Sequence, residues 1–390
     1  MKKRQFLSFL VIMSISFCLT SSGSESQSLA IRASKIWTIT DGVITNGVII
    51  INEGKIQSVG ENIEIPEGIR VLDMSDKDVM PGMIDAHCHI GLSLDIFSEM
   101  DETVAAVAAD MLILDAFNPY SDDVKKALSC GVTTIMLAPG NRNPVGGLPA
   151  VLKLDISKAN DWVLVRAAGV EFSVMNEALM FDREPTSRAG LMDLIREELD
   201  KAKEDKDDGF NPTRDILKRV VVANKTAYIW ARNVDEIASA MAIVDEYELK
   251  AVLVTAEQGD EIADMIAERN LPVIYPPLLL SSRDKDLKRA GKMANSGIKI
   301  AFASLTPRTD LHDLRTSAIL AAKYGLDTET ALKSLTINAA EILGVADRLG
   351  SISEGKDADL VILNGDPLQL TSSIEMVLIN GNIVYQRQEE

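Results

Sequence analysis

The sequence is poor in the side chains that bind transition metals or form disulfides. It contains three histidines and three cysteines among 390 residues. So few cysteines in a chain of this length exclude a disulfide framework as the basis of the fold. Histidine ligands are equally scarce, so a metal site that uses several imidazoles has very few residues to draw on.

The sequence also has fewer positive than negative side chains, and it has few long apolar runs. Forty Lys and Arg residues stand against 58 Asp and Glu residues, which gives a net charge of −18. Such a chain repels phosphate backbones, so we expect no nucleic-acid partner. Past the first 20 residues no apolar run is long enough to cross a bilayer, so we expect no transmembrane span in the mature chain.

The amino terminus has the pattern of a secretory signal peptide. Three cations at residues 2–4 precede the apolar run FLSFLVIMSISFCL and the small, polar stretch TSSGSESQS. We predict a signal peptide over residues 1–22, with cleavage between residues 20 and 30, and export to the periplasm or the medium. Lipid anchoring at Cys18 is disfavoured, because the bulky Phe17 precedes it where small residues are usual.

Hydrophobic patterning divides the rest of the chain into three parts. Residues 29–80 and 348–390 are short β-branched runs broken by Gly, Asn and Asp, whereas residues 81–347 alternate apolar strand-like runs with amphipathic helical patterns. The length of this middle part suits a (β/α)8 TIM-like barrel. A doubly wound sheet is the alternative, but the glycine-rich phosphate loop expected there is missing. We predict an α/β barrel plus a small β-sandwich formed by both chain ends.

One short motif carries the strongest chemical signal. The stretch MIDAHCHIGL places His87 and His89 two residues apart, on one face of a strand. Active sites of barrels lie at the carboxyl ends of the strands, so this pair could bind a metal there. Two core histidines without a metal are the alternative, since a bare His-x-His pair is weak evidence. Cys88 and Cys130 are expected to be buried free thiols.

Four segments together resemble a known family. VMPGMIDAHCHIGL resembles the first-strand motif of the amidohydrolase superfamily, and LGSISEGKDADLVILNGDP resembles its C-terminal segment. DAFNPYSDDVKKALSCGVTTIMLAPGNRNPVGGLPAVLKL and EPTSRAGLMDLIREEL resemble its exported, imidazolonepropionase-like branch. The resemblance runs from about residue 30 to the end. It implies a divalent metal, zinc first, held by His87 and His89, and hydrolysis of non-peptide C–N bonds. It also implies association into homo- or hetero-oligomers.

The chain departs from the pattern that this resemblance implies. A histidine is expected at the end of the fifth strand, where Trp230 stands, and another at the end of the sixth, near Thr255. An aspartate that serves as ligand and base is expected after the eighth strand, where Leu305 stands. An indole has no lone pair for a metal, and leucine cannot accept a proton. We therefore predict a degraded metal site that holds zinc, another divalent metal or no metal.

A few other residues could complete the site. His312 is a weak candidate for a third ligand, with a surface position at the start of a helix as its alternative. The other polar candidates near predicted strand ends are Lys153, Glu257, Asp260, Asp310 and Asp313. The loop 139–150 is rich in Gly and Pro, and it either borders the active site or is a structural turn.

Two functional hypotheses follow, and the site must decide between them. In the first, hydrolysis is weak or absent and the chain binds a small-molecule ligand or a partner, such as an active relative. In the second, the chain is a working exported hydrolase with an atypical metal site built on His87 and His89. The sequence assigns no catalytic residue.

Overall fold

A computed structural model describes residues 28–93, 98–155, 162–204 and 209–388. The predicted signal peptide and Cys18 lie outside the described residues. Within the described ranges, no helix combines the length and the apolar character needed to span a membrane.

Sixteen strands are found among the described residues. They are β1 (Leu29–Trp37), β2 (Val43–Asn52), β3 (Lys55–Gly60), β4 (Arg70–Pro81), β5 (Met83–Cys88), β6 (Val132–Leu137), β7 (Ala150–Lys153), β8 (Val163–Val165), β9 (Gly169–Ser173), β10 (Thr226–Ala231), β11 (Ala251–Thr255), β12 (Val273–Tyr275), β13 (Ile300–Phe302), β14 (Leu360–Leu363), β15 (Ile374–Ile379) and β16 (Asn382–Gln386).

Helices separate most of the later strands. They are α1 (Asp122–Ser129), α2 (Arg188–Lys203), α3 (Pro212–Val222), α4 (Val234–Tyr247), α5 (Ala263–Glu268), α6 (Asp284–Leu287), α7 (Arg289–Asn295), α8 (Asp313–Lys323), α9 (Thr328–Ser334) and α10 (Ile337–Leu343). Three short 3-10 turns cover Ile113–Ala116, Asn176–Ala178 and Gly259–Ile262.

Both chain ends meet in one seven-stranded sheet, ordered β16-β15-β14-β4-β1-β2-β3. Alternation along β2 shows why its β-branched residues form a strand. Ile49 and Ile51 lie in the larger core of this unit, while Val48 and Ile50 lie in a second core on the other face. The sheet is thus covered on both faces, as in a sandwich.

The middle of the chain forms the barrel. Strands β9 to β13 make a five-stranded parallel sheet, and β5 pairs in parallel with β6. Backbone hydrogen bonds close the ring, from Leu305 N to His87 O (3.2 Å) and from His89 N to Thr306 O (2.8 Å). This is the predicted α/β class, with one interruption: β7 and β8 are antiparallel.

The interruption has a local cause. The loop between β6 and β7 contains three glycines and three prolines, which do not form a helix that could return the chain for a parallel strand. The loop instead pairs with β9, through Gly146 N to Glu171 O (2.8 Å) and Glu171 N to Gly147 O (3.1 Å).

A buried ion network joins the barrel to the terminal sheet. Lys153 is 1% exposed, and its Nζ lies 2.8 Å from Asp357 and 2.9 Å from Asp359. Asn380 accepts a third hydrogen bond from Lys153 at 2.6 Å, and Arg348 also pairs with Asp357. The predicted domain limits remain a prediction, but this cluster shows where the two units meet.

Candidate metal centre at the barrel mouth

The two histidines of the first barrel strand point into the barrel at its carboxyl end. Both are 0% exposed, and their ring centroids lie 5.5 Å apart. Asp85 on the same strand is committed elsewhere, because its carboxylate accepts hydrogen bonds from the Ser304 hydroxyl and backbone N–H. Burial raises the pKa of Asp85 to about 6. This pairing fixes β5 against the segment that follows β13.

A third ionisable group joins the pair. Glu171 on β9 is 1% exposed, and its Oε1 lies 3.2 Å from His87 Nε2. Sequence reasoning missed this residue. The available signal was a single acid inside the apolar run GVEFSV, since a buried carboxylate is rare unless it has a partner.

Trp230 closes the cluster from the neighbouring strand β10. Its ring meets His87 edge-on, with centroids 4.8 Å apart, and it is 1% exposed. Outside it, the Arg308 guanidinium lies 6.0 Å from the indole centroid, and Asn141 accepts a hydrogen bond from Arg308 at 3.1 Å. The three polar side chains are therefore sealed from solvent.

The cluster leaves an unusual number of polar atoms without partners. His89 Nδ1–H donates to the Ala138 carbonyl at 2.8 Å, which leaves the Nε2 lone pair free. That Nε2, the Nδ1 of His87 and the indole N–H of Trp230 have no hydrogen-bond partner, and His87 Nε2 has only the Glu171 carboxyl beside it. Each unpaired buried polar atom costs about 1–3 kcal/mol, so such a set indicates a missing partner.

Two of these donors have the spacing that a divalent metal requires. Two donors about 2.1 Å from one tetrahedral zinc lie roughly 3.4 Å apart, and His87 Nε2 and Glu171 Oε1 lie 3.2 Å apart. A backbone carbonyl that orients the other nitrogen, as at His89, is the usual support of a metal-binding imidazole. No three His, Cys, Asp or Glu side chains of the described ranges surround one point, so only the pair of His87 and Glu171 shows this spacing.

Burial keeps the side chains of this cluster neutral. Burial, together with the positive charge of Arg308, lowers the pKa of His87 and His89 to about 3. Burial raises the pKa of the Glu171 carboxyl well above its usual range, although the Trp230 indole opposes the shift. Neutral imidazoles can bind a metal directly, whereas Glu171 must first release a proton.

The positions at the ends of the later strands offer no further ligand. The Thr255 hydroxyl is used by the Ala231 carbonyl, to which it donates at 3.0 Å. Leu305 is buried beside the barrel interior, and its backbone N–H bonds the His87 carbonyl. Neither this side chain nor Trp230 can take a proton from water.

The other predicted site residues lie elsewhere. His312 is exposed, its Nδ1 lies 3.4 Å from the Cys130 Sγ, and no contact within the described ranges joins it to the histidine pair. Cys130 and Cys88 are buried free thiols, as predicted. The polar candidates are engaged in ion pairs or at a helix start. These are Glu257 with Arg232, Asp260 with Arg289, Asp310 with Lys126, Lys153 with Asp357 and Asp359, and Asp313 at the start of α8.

The loop 139–150 borders this centre. Gly146 and Gly147 hold the backbone of Glu171 from both sides. A Cβ on Gly140 would lie 2.2 Å from the Asp101 carboxylate, so a larger residue there would displace that carboxylate. The loop therefore shapes the site and also turns the chain.

One solved structure decides the family. An amidohydrolase from Thermotoga maritima MSB8 is 30% identical in sequence, with a TM-score of 0.85 over 92% of this chain and 100% of that one. The chain belongs to the amidohydrolase superfamily. The Amidohydrolase family model matches residues 255–385.

Curated relatives place this amidohydrolase in the imidazolonepropionase-like branch. The imidazolonepropionase of Thermoplasma volcanium is 23% identical over 89% of this chain and 92% of the relative. Amidohydrolase tasK of Hapsidospora irregularis is 22% identical over 88% of this chain, which spans only 40% of tasK. The predicted family and the predicted barrel-plus-sandwich fold are both confirmed.

A more distant structure shares the fold alone. It is an adenosine deaminase from Xanthomonas campestris with bound zinc, 18% identical, with a TM-score of 0.56 over 92% of each chain. Divalent metals are general in this superfamily, so a metal at His87, His89 and Glu171 is consistent with the family as well as with the unpaired atoms.

Proposed function

We propose that this amidohydrolase-family hydrolase cleaves non-peptide C–N bonds weakly or not at all, and that it serves to bind a small-molecule ligand or a partner protein. The observation that carries the proposal is the pair of apolar replacements at the barrel mouth. Trp230 fills the space against His87, and Leu305 stands where the family's proton acceptor is expected. General-base catalysis contributes about 10²–10⁴-fold to such reactions, and a leucine at position 305 cannot supply it.

A metal at His87, His89 and Glu171 would supply Lewis-acid polarisation of a carbonyl. The residues around the histidines restrict the reaction that could follow this polarisation. Ala138 orients the His89 ring, Asp85 is held by Ser304, and Trp230 excludes water and substrate from the histidines. The arrangement thus supports a bound ion better than it supports turnover.

The test is hydrolysis by the zinc-loaded mature protein on a panel of cyclic amides, imidazolones and amino-purines. We expect kcat/KM to stay at least about 10²-fold below the 10⁴ M⁻¹s⁻¹ at the low end of ordinary enzymes. The double variant Trp230→His, Leu305→Asp should gain at least about tenfold on whichever substrate shows a trace of activity. Wild-type activity in the ordinary range would refute the proposal.

The second candidate is an active metal-dependent hydrolase with an atypical site, and the unpaired atoms of His87, His89 and Glu171 favour it. Metal content after mild chelation and reloading with zinc, iron or manganese tests the metal site that this candidate requires, and the substrate panel tests its turnover. About one metal per chain, lost in the His87→Ala, His89→Ala variant but kept in His312→Ala, would justify a wider substrate search. Export of the mature chain and its association into oligomers are proposed with either function.

A further inference from the structure

An arginine side chain covers the approach to the metal centre. Arg308 lies on the loop between β13 and α8, and its guanidinium carbon is 6.0 Å from the centroid of the Trp230 indole. Arg308 is exposed, whereas Trp230 is 1% exposed and contacts His87 edge-on. Arg308, Trp230 and His87 therefore form a series that leads from solvent to the metal centre.

Beneath Trp230 the barrel is filled by apolar side chains. Tyr228 stands two residues before Trp230 on β10, so both side chains point to the same side of the strand. Tyr228, Val254 and Ile274 are at most 1% exposed and pack in the same apolar cluster as Trp230. Interiors packed in this way leave few voids larger than a water molecule. An ion or a small solute therefore reaches His87 from the mouth, past Arg308 and Trp230.

A hydrogen bond between two loops holds Arg308 in this position. Its Nη2 donates to Asn141 Oδ1 at 3.1 Å, and Asn141 is 1% exposed in the loop 139–150. The Nδ2 of Asn141 points at the Met175 sulfur, 3.7 Å away, which fixes the direction of its carbonyl oxygen. A charge-assisted hydrogen bond favours the closed arrangement over an open one by about 10- to 150-fold. Such a bias keeps the mouth covered most of the time and still permits opening.

The backbone that carries Arg308 is fixed, so opening requires movement of the side chain alone. The Thr306 hydroxyl donates to the Thr309 carbonyl at 3.2 Å and closes the turn that contains Arg308. Asp310 pairs with Lys126 on α1 at 2.6 Å, which ties the same loop to a helix of the barrel. Exposed side chains change rotamer faster than whole loops move. Rotation of the arginine is therefore the easiest way to uncover Trp230.

The charge of Arg308 adds to the obstruction for a cation. Burial is the main cause of the low pKa of His87 and His89, and the positive charge of Arg308 contributes to both shifts. A guanidinium whose field reaches both imidazoles also repels a divalent cation that approaches them. A neutral solute experiences the steric cover without this repulsion.

We propose that Arg308 and Asn141 form a gate over the metal centre. In the closed state the guanidinium covers Trp230 and bonds Asn141. In the open state it turns into solvent and admits an ion. The proposal does not depend on whether the barrel hydrolyses anything.

Acrylamide quenching of Trp230 fluorescence tests the gate without any metal. The measurement uses the full mature chain with Trp37→Phe and Trp162→Phe, which leaves Trp230 as the remaining tryptophan. Because Arg308→Met and Asn141→Leu each remove one partner of the hydrogen bond, each should raise the Stern–Volmer constant at least about threefold. Arg283→Met makes the first change at a side chain that is 72% exposed and should leave the constant unchanged. Unchanged quenching in gate variants that keep their thermal transition would overturn the proposal.

Stopped-flow mixing with Co²⁺ tests the gate toward a cation. Arg308→Met removes both the cover and the charge, so the rate of Trp230 quenching by Co²⁺ should rise at least about tenfold. Arg308→Lys keeps the charge and should give a smaller increase. Equal rates in the wild type and Arg308→Met would contradict the gate. Increased acrylamide quenching with no response to Co²⁺ would support the gate and count against the metal site instead.

Discussion

His87 Nε2 and Glu171 Oε1 lie 3.2 Å apart on non-adjacent strands of the barrel, sealed from solvent and without another partner. A carboxyl group from β9 thus lies beside a histidine of the first barrel strand. Whether an ion joins the two groups can be tested without any enzymatic assay.

Zinc affinity should depend on Glu171. Because Glu171→Gln removes the negative ligand and keeps the shape, we expect the affinity to fall about 10–100-fold. Competition with a chromogenic chelator measures it. Glu61→Gln, at an exposed position, is the matched control and should leave the affinity unchanged. Equal affinities in both variants would remove Glu171 from the metal site.

Trp230 should report on metal binding by its fluorescence. A Co²⁺ ion on His87 would lie within a few ångströms of an indole whose centroid is 4.8 Å from the imidazole, and Co²⁺ quenches at such range. We expect titration with Co²⁺ to remove part of the emission. In Trp230→Phe only Trp37 and Trp162 remain, and the quenching should disappear. Quenching that persists there would place the ion elsewhere.

Removing Trp230 should cost considerable stability even without a metal. Its side chain is among the largest that are fully buried, so Trp230→Ala should lower the free energy of unfolding by about 3–5 kcal/mol. Phe181→Ala removes another large aromatic group at a fully exposed position and should change it by less than about 0.5 kcal/mol. Denaturant unfolding of both variants checks the difference.

The buried lysine between the two units gives a fourth prediction. Lys153→Met leaves Asp359 buried without its cation, so we expect about 3–5 kcal/mol of destabilisation. Lys125→Met makes the same change at a side chain that is 74% exposed and should be nearly neutral. Similar losses in both variants would mean that the network adds nothing beyond an ordinary surface pair.

The thiols should be inert in the folded protein. Cys88 is fully buried, and burial raises the pKa of Cys130 to about 11, so little thiolate forms at pH 8. A disulfide reagent should label neither cysteine in the native mature chain and both in denaturant. Rapid labelling of native Cys130 would mean that its contact with His312 opens readily.

Sequence patterns predicted the parts of the fold that depend on local order. The alternation of strands and helices indicated the barrel, and the β-branched runs at both ends indicated the terminal unit. His87 and His89 could be placed because a strand's period of two is a local property. Trp230 and Leu305 were placed at the ends of their strands by the resemblance to the family pattern.

What could not be predicted depends on contacts between distant segments. Glu171 contacts His87 because β9 and the first barrel strand face each other across the barrel. The antiparallel strands β7 and β8 precede β9, and they make it difficult to number the barrel strands from the sequence. His312 was a candidate on the assumption that its loop faces the barrel mouth, but packing of α8 places it against Cys130.

The terminal sheet contains strands from both the early and the late parts of the sequence, which are synthesised at different times. Strand β4 pairs with β14 through Pro81 and Leu360, so its edge stays unpaired until nearly the whole chain has been synthesised. Exposed strand edges recruit other chains. A nascent or prematurely terminated chain therefore carries an open β edge throughout barrel synthesis. We expect holdase chaperones to protect that edge until the final strands arrive.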